Sequence, residues 1–126
     1  MSGRLAAVAV ALTIALPGCV TNTQKYNWGS YDPSLYSYYR DPTKLGELSA
    51  SLKAVIDAAS SKRAAVPPGI YAEYGYLQLQ QGKTQEAVQL FTQEETHWPE
   101  SKVFMDRMIK VASTPAAAPA ARGTAP

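Results

Sequence analysis

One cysteine, one histidine and no block of like charge occur in 126 residues, and each scarcity excludes something. A single thiol cannot close an internal disulfide, so the fold has to stand on its packing. One histidine and one cysteine do not make a zinc site. His97 is the only candidate for a neutral-pH base; it has no cysteine near it in sequence, and Ser101 lies beyond Pro99. Glu94 and Glu95 next to it read as part of a solvated helix end. Adjacent residues on a helix point apart, so they do not form a glycosidase-type carboxylate pair. Gly82-Lys83-Thr84 imitates the end of a phosphate-binding loop, but Leu77 stands where the earlier glycine has to be. Twelve Lys and Arg against ten Asp and Glu give a net charge of +2. Without a concentrated basic face that argues against nucleic acid. The longest apolar run is far below the roughly 20 residues of a spanning helix. The expectation is a protein with no catalytic residue, no metal and no cofactor, other than a covalent lipid.

What is present begins at the N-terminus. Arg4 precedes an apolar stretch, Leu5 to Leu16, "LAAVAVALTIAL", which has the form of a secretory signal peptide. The lone thiol follows at once in Leu16-Pro17-Gly18-Cys19. This tetrad resembles the lipobox of bacterial lipoproteins, although Pro17 stands where a small residue is commoner. The resemblance implies a diacylglyceryl thioether on Cys19, cleavage before it, and an N-acyl chain on the new amine. The alternatives are an ordinary signal peptide, or a short apolar helix burying a thiol. Each buried CH2 contributes about 0.8 kcal/mol, so three acyl chains make an essentially permanent anchor. Val20 and Thr21 follow, with no Asp at the second position. Under the enterobacterial sorting scheme this implies the periplasmic face of the outer membrane.

The expected organisation is a cleaved signal peptide over 1–18, a lipidated tether over 19–25, a helical domain over 26–112 and an Ala/Pro-rich tail over 113–126. The tail, "STPAAAPAARGTAP", has prolines that interrupt a helix and alanines that bury little area.

Five tyrosines and a tryptophan crowd the start of the domain: Tyr26, Trp28, Tyr31, Tyr36, Tyr38 and Tyr39. Asp32-Pro33 reads as a helix start, Asp as N-cap and Pro at the first helical position. Leu35, Tyr36 and Tyr39 then share one face, and Asp41-Pro42 closes the helix. Trp28, Tyr31 and Leu35 are expected to dock on the following helices. Tyr38, off that stripe, is the better candidate for a contact surface, because tyrosine and tryptophan are enriched in interface hot spots. A carbohydrate-stacking platform is the other use of such a cluster.

Leu45, Leu48, Leu52, Val55, Ile56 and Ala59 recur at helical spacing and predict a helix from about Pro42 to Lys62. The "VPPG" run, Val66 to Gly69, ends it. The next stretch, Pro68 to Ser101, resembles a tetratricopeptide repeat. Tyr71, Tyr74, Gly75, Ala87, Phe91 and Pro99 fall at the repeat's spacing. The small Gly75 and Ala87 let two antiparallel helices approach, and the large rings fill the space beside them. Gly82 marks the turn, and Thr84 reads as the N-cap of the second helix. Gln78 and Glu94 depart from the repeat's usual residues. One repeat does not bury both its faces and needs neighbours. The Pro42–Lys62 helix supplies one. The other is a helix over Ser101–Ala112 with Val103, Phe104, Met108 and Val111 as its apolar stripe. The expected fold is all-α, about four helices plus a short aromatic-rich N-terminal element.

The mature chain as a whole is similar to a family of small Gram-negative lipoproteins catalogued as a domain of unknown function. The likeness rests on Tyr26-Asn27-Trp28-Gly29-Ser30-Tyr31, Leu35-Tyr36, the "PPG" loop, "EAVQLFTQE" and "WPES…FMDRM". It implies an accessory subunit of an outer-membrane assembly. The partners it implies are a lipoprotein similar to the curli-secretion pore subunit and a second small lipoprotein. The expected function is therefore a lipid-anchored periplasmic adaptor. Its contact surface is drawn from the aromatic cluster and from exposed hairpin positions such as Gln78 and Gln89. The alternative is a peptidoglycan- or ligand-binding lipoprotein using the tyrosines.

Overall fold

The structure, a computed structural model, describes residues 24–115. The signal sequence, Leu16-Pro17-Gly18-Cys19 and the tail from Ala116 lie outside the described residues. Those described form five α-helices and no strand: α1 (Tyr31–Arg40), α2 (Leu45–Ser61), α3 (Ile70–Gln80), α4 (Thr84–His97) and α5 (Lys102–Ser113). Short 3-10 turns over Pro42–Lys44 and Pro99–Ser101 lead into α2 and α5. Helices adjacent in sequence pack on one another, α1 on α2, α2 on α3, α3 on α4 and α4 on α5. That serial stacking is the expected geometry of a repeat unit between two neighbours.

Local chemistry sets the breaks. The Asp41 carboxylate accepts from the Thr43 backbone N–H at 3.0 Å and from its hydroxyl at 2.7 Å. These bonds, the side-chain one first, hold Asp41 below the usual carboxylate range. The helix before it starts at Tyr31, so Asp32 sits in the first turn and is not the N-cap expected of it; Ser30 holds the cap position. Thr84 likewise opens α4, and Lys83 precedes it as the cap.

Two helix ends close with the same pair of backbone bonds. After α3, Gly82 N–H bonds Leu79 O at 3.0 Å and Lys83 N–H bonds Gln78 O at 3.0 Å. After α2, Arg63 N–H bonds Ser60 O at 3.2 Å and Ala64 N–H bonds Ala59 O at 2.9 Å. This arrangement needs a left-handed residue just past the helix. Gly82 supplies it at φ 76, whereas Arg63 is held there at φ 51.

The hairpin of α3 and α4 bears out the reading of Gly75, Ala87 and Phe91. A Cβ built on Gly75 lies 2.8 Å from the Phe91 ring and 3.2 Å from Leu90 Cβ. Only a glycine permits that approach. Ala87 and Phe91 have no exposed surface. The core falls into two clusters. The larger gathers Leu48, Leu52, Val55 and Ala59 of α2 with Val66, Ile70, Tyr71 and Leu77. The smaller holds Ala87, Phe91, Met105 and Ala112.

Further sequence expectations are corrected by the packing. Tyr38 packs inward beside Trp28, Tyr31 and Leu35, because the half-buried, core-facing stripe of α1 is Tyr31-Leu35-Tyr38. Tyr36 and Tyr39 point out, 63% and 77% exposed. Gln78 is not an exposed hairpin position: it is only 5% exposed. Its amide donates across the hairpin to Glu86 Oε2 at 2.7 Å. Gln89 is exposed, as expected. On α5 the buried residues are Met105 and Ala112, while Val103, Phe104 and Val111 face outward. The helix presents two apolar stripes, and α4 takes only one of them.

Candidate docking groove

α3 and α5 both lie against α4 and make little contact with each other. A groove of about 410 Å³ opens between them. Ala72, Glu73 and Tyr76 form one wall, Phe91 of α4 the floor, and Phe104, Met105 and Met108 the other wall. Gly69 closes one end. Glu73 is the only ionisable carboxylate among these lining residues, so the trough is nearly all apolar. Met108, half-buried on one wall above the buried Met105, gives it a side chain that re-packs around different shapes. Tyr76 and Phe104 stand half-open to solvent at its lips.

The walls are fixed from behind. Glu94, where the repeat has a small residue, is buried. Its Oε1 accepts from Gly69 N–H at 2.7 Å and its Oε2 from Ala72 N–H at 3.4 Å. The first N–H groups of a helix lack intrahelical partners, and a negative charge there complements the helix dipole. Glu94 therefore ties the start of α3 to α4, and it is not part of the solvated helix end expected of it. The neighbouring Tyr71 phenol is pushed up by burial first and by the Glu94 charge second. The Tyr71 ring lies 5.4 Å from that of His97, tilted by 32°. Glu95 Oε2 is enclosed, and the Lys102 ammonium lies 3.6 Å away, a charge contact just beyond hydrogen-bond length.

On the far side, Tyr31 O–H donates to Glu73 Oε2 at 2.6 Å and joins α1 to α3. Burial, then this hydrogen bond, push the phenol well above the ordinary value of 10.0. Glu73 is thereby held at the edge of the groove. The N-terminal aromatics run across the same side. Trp28 sits 5.7 Å from Tyr31, and Tyr26 stands edge-on to Trp28 at 6.4 Å and to Trp98 at 5.9 Å.

The expected contact residues therefore do not form one surface. Tyr26, Trp28, Tyr31 and Tyr38 act as packing, Tyr36 and Tyr39 remain outside with Arg40, and Gln78 is internal. Arg40 donates to Tyr36 O–H at 3.1 Å and lies 5.8 Å from its ring centre. Sequence reasoning missed the groove because it counted Phe104 as core and gave Ala72, Tyr76 and Met105 no role. The available signal was the excess of apolar positions on α5, more than one buried stripe uses. Among the described residues no three His, Cys, Asp or Glu side chains come together to hold a metal. No helix there is long and apolar enough to cross a membrane.

A family model described as "Domain of unknown function (DUF4810)" matches residues 25–108. Comparison with curated proteins and with solved structures gives no match.

Proposed function

The chain belongs to the DUF4810 family, a domain of unknown function, and from that premise we propose that it is a lipid-anchored periplasmic adaptor of an outer-membrane protein assembly. Acyl chains on Cys19 hold it at the membrane, and the groove between α3 and α5 receives an amphipathic helix of a protein partner. The observation that carries this reading is the groove itself: an open apolar trough with aromatic lips and methionines on one wall. Its walls are two helices of 11 and 12 residues, about 17 Å long. A partner helix of three turns matches that length, seated by its apolar stripe in the manner of helix-in-groove recognition. The partner class is an outer-membrane lipoprotein, either the one similar to the curli-secretion pore subunit or the second small lipoprotein. The chain performs no chemistry of its own.

Met108→Glu in the full chain tests the groove. Met108 is half-buried at the wall, so a charge there opposes an apolar occupant at modest cost to the fold. The complex extracted in mild detergent is expected to be lost while helix content and melting stay near those of the unaltered chain. Full yield of the complex with a confirmed fold contradicts the reading. Cys19→Ser tests the anchor: the chain is expected to leave the membrane fraction, and retention there contradicts it.

A second reading has one observation in its favour. Tyr36 and Tyr39 project side by side from α1 with Arg40, a geometry suited to stacking on a sugar ring. Binding to purified sacculi that is lost on Tyr39→Ala supports a peptidoglycan contact, and no binding removes it.

A further inference from the structure

We infer that the outward face of α5 lies flat on the anionic surface of the membrane that holds the lipid anchor, an inference that rests on the anchor proposed above. Two separate observations meet at one corner of the fold. First, the edge-on contact of Tyr26 with Trp98 pins the root of the tether to the end of α4. Trp98 is four residues before α5 begins at Lys102. The seven residues from Cys19 to Lys25 span at most about 25 Å. A bilayer holding Cys19 is therefore within reach of the start of α5, and α5 itself is only about 18 Å long.

Second, the face turned away from α4 has the composition of an interfacial helix. Val103 and Val111 are 68% and 62% exposed, and Arg107 and Lys110 are exposed between them. Met105 and Ala112 occupy the opposite, buried side. Lys102 is paired with Asp106 at 3.0 Å, which leaves Arg107 and Lys110 as the net charge of the helix. Long basic side chains interspersed with branched apolar ones bury their stems at the headgroup level and keep their charges in water. Each cation near an anionic leaflet contributes on the order of 1 kcal/mol. Protein interfaces are depleted in lysine, so this mixture fits a lipid surface better than a second protein. Phe104 stands at the shared edge of this face and the groove. Seated this way, α5 makes the groove open along the bilayer, where it meets the membrane-proximal helix of a partner.

The acylated mature chain supplies the test, because the sulfur of Cys19 is then blocked and an introduced cysteine is the one labelling site. Val103→Cys, Val111→Cys and, as a control at an exposed position of α2, Ser60→Cys are labelled with an environment-sensitive fluorophore. They are reconstituted into vesicles of phosphatidylethanolamine and phosphatidylglycerol. Blue-shifted emission with several-fold less quenching by aqueous iodide is expected at 103 and 111 and not at 60. Arg107→Glu with Lys110→Glu, or purely zwitterionic vesicles, is expected to abolish the protection. Labels that stay water-exposed at all three positions, on chains still held by the vesicles, overturn the inference and leave the anchor standing. Protection that appears in native envelopes but not in lipid vesicles also overturns it, because a protein then covers the face. Intact mass decides the anchor separately: a chain without acyl groups removes the anchor, and this inference with it.

Discussion

On its N-terminal side the α3–α4 hairpin is covered by α2 and, behind it, by α1; on its C-terminal side α5 covers α4 and leaves α3 bare. The difference shows in the two cores. Leu48, Leu52, Val55 and Ile70 sit in a cluster sealed by Trp28, Tyr31, Leu35 and Tyr38. Ala87, Phe91, Met105 and Ala112 form a smaller one, with Phe104 and Tyr76 left half-open above it. A repeat unit needs a cap at each end to hide its apolar faces. This chain supplies a full cap at one end and a partial cap at the other. Exposed apolar surface of that kind marks interaction sites. The covered end thus serves stability, and the open end is the surface to which the proposed function assigns a partner.

Phe91 belongs to both the hairpin and the small cluster. Phe91→Ala is expected to cost about 3–5 kcal/mol in chemical denaturation, the largest single effect. Next comes Glu94→Ala, which leaves the Gly69 and Ala72 N–H groups without their carboxylate. It is expected to cost about 1.5–3 kcal/mol, with hydrogen exchange at the start of α3 speeding up locally.

Tyr31→Phe sharpens the role of the covered end. Losing the bond to Glu73 is expected to cost about 1 kcal/mol at neutral pH. It also changes the alkaline behaviour. The folded pKa of Tyr31 is raised above its ordinary value of 10.0, so its contribution is complete below pH 10 and is lost as pH climbs beyond it. Urea melts from pH 8 upward are expected to show a steeper alkaline fall in the unaltered chain than in Tyr31→Phe. Parallel curves contradict the assignment.

Arg63→Gly places at the end of α2 the residue that already closes α3. Since Arg63 sits at φ 51, a gain of about 0.5–1 kcal/mol is expected, read as a raised melting temperature. Smallest in stability is Phe104→Ser at the open end, expected within about 0.5 kcal/mol of the unaltered chain. A large loss of stability there would mean that the open end is structural after all.

Much of the fold was legible in the sequence because its signals are local. Gly75, Ala87 and Phe91 encode a close helix approach by size and spacing alone, and Gly82 encodes a turn by its backbone freedom. The same spacing fails where a helix carries two apolar stripes. On α5, Val103-Phe104-Val111 and Met105-Met108-Ala112 both satisfy helical periodicity, and only the position of α4 chooses between them. On α1, Tyr36-Tyr39 and Leu35-Tyr38 pose the same ambiguity. The role of Glu94 was not legible, since the N–H groups it serves lie 25 and 22 residues earlier in the chain. The groove is a property of three helices together, and no single stretch of sequence contains it.

The most direct measurement is photo-crosslinking in the intact envelope from a photoreactive residue placed at position 104, beside the same residue placed at Tyr39 on the far side of the fold. A single defined protein adduct from position 104, absent from position 39, is the result expected of an adaptor working through its open end. No adduct from 104, or the same adducts from both positions, would contradict it.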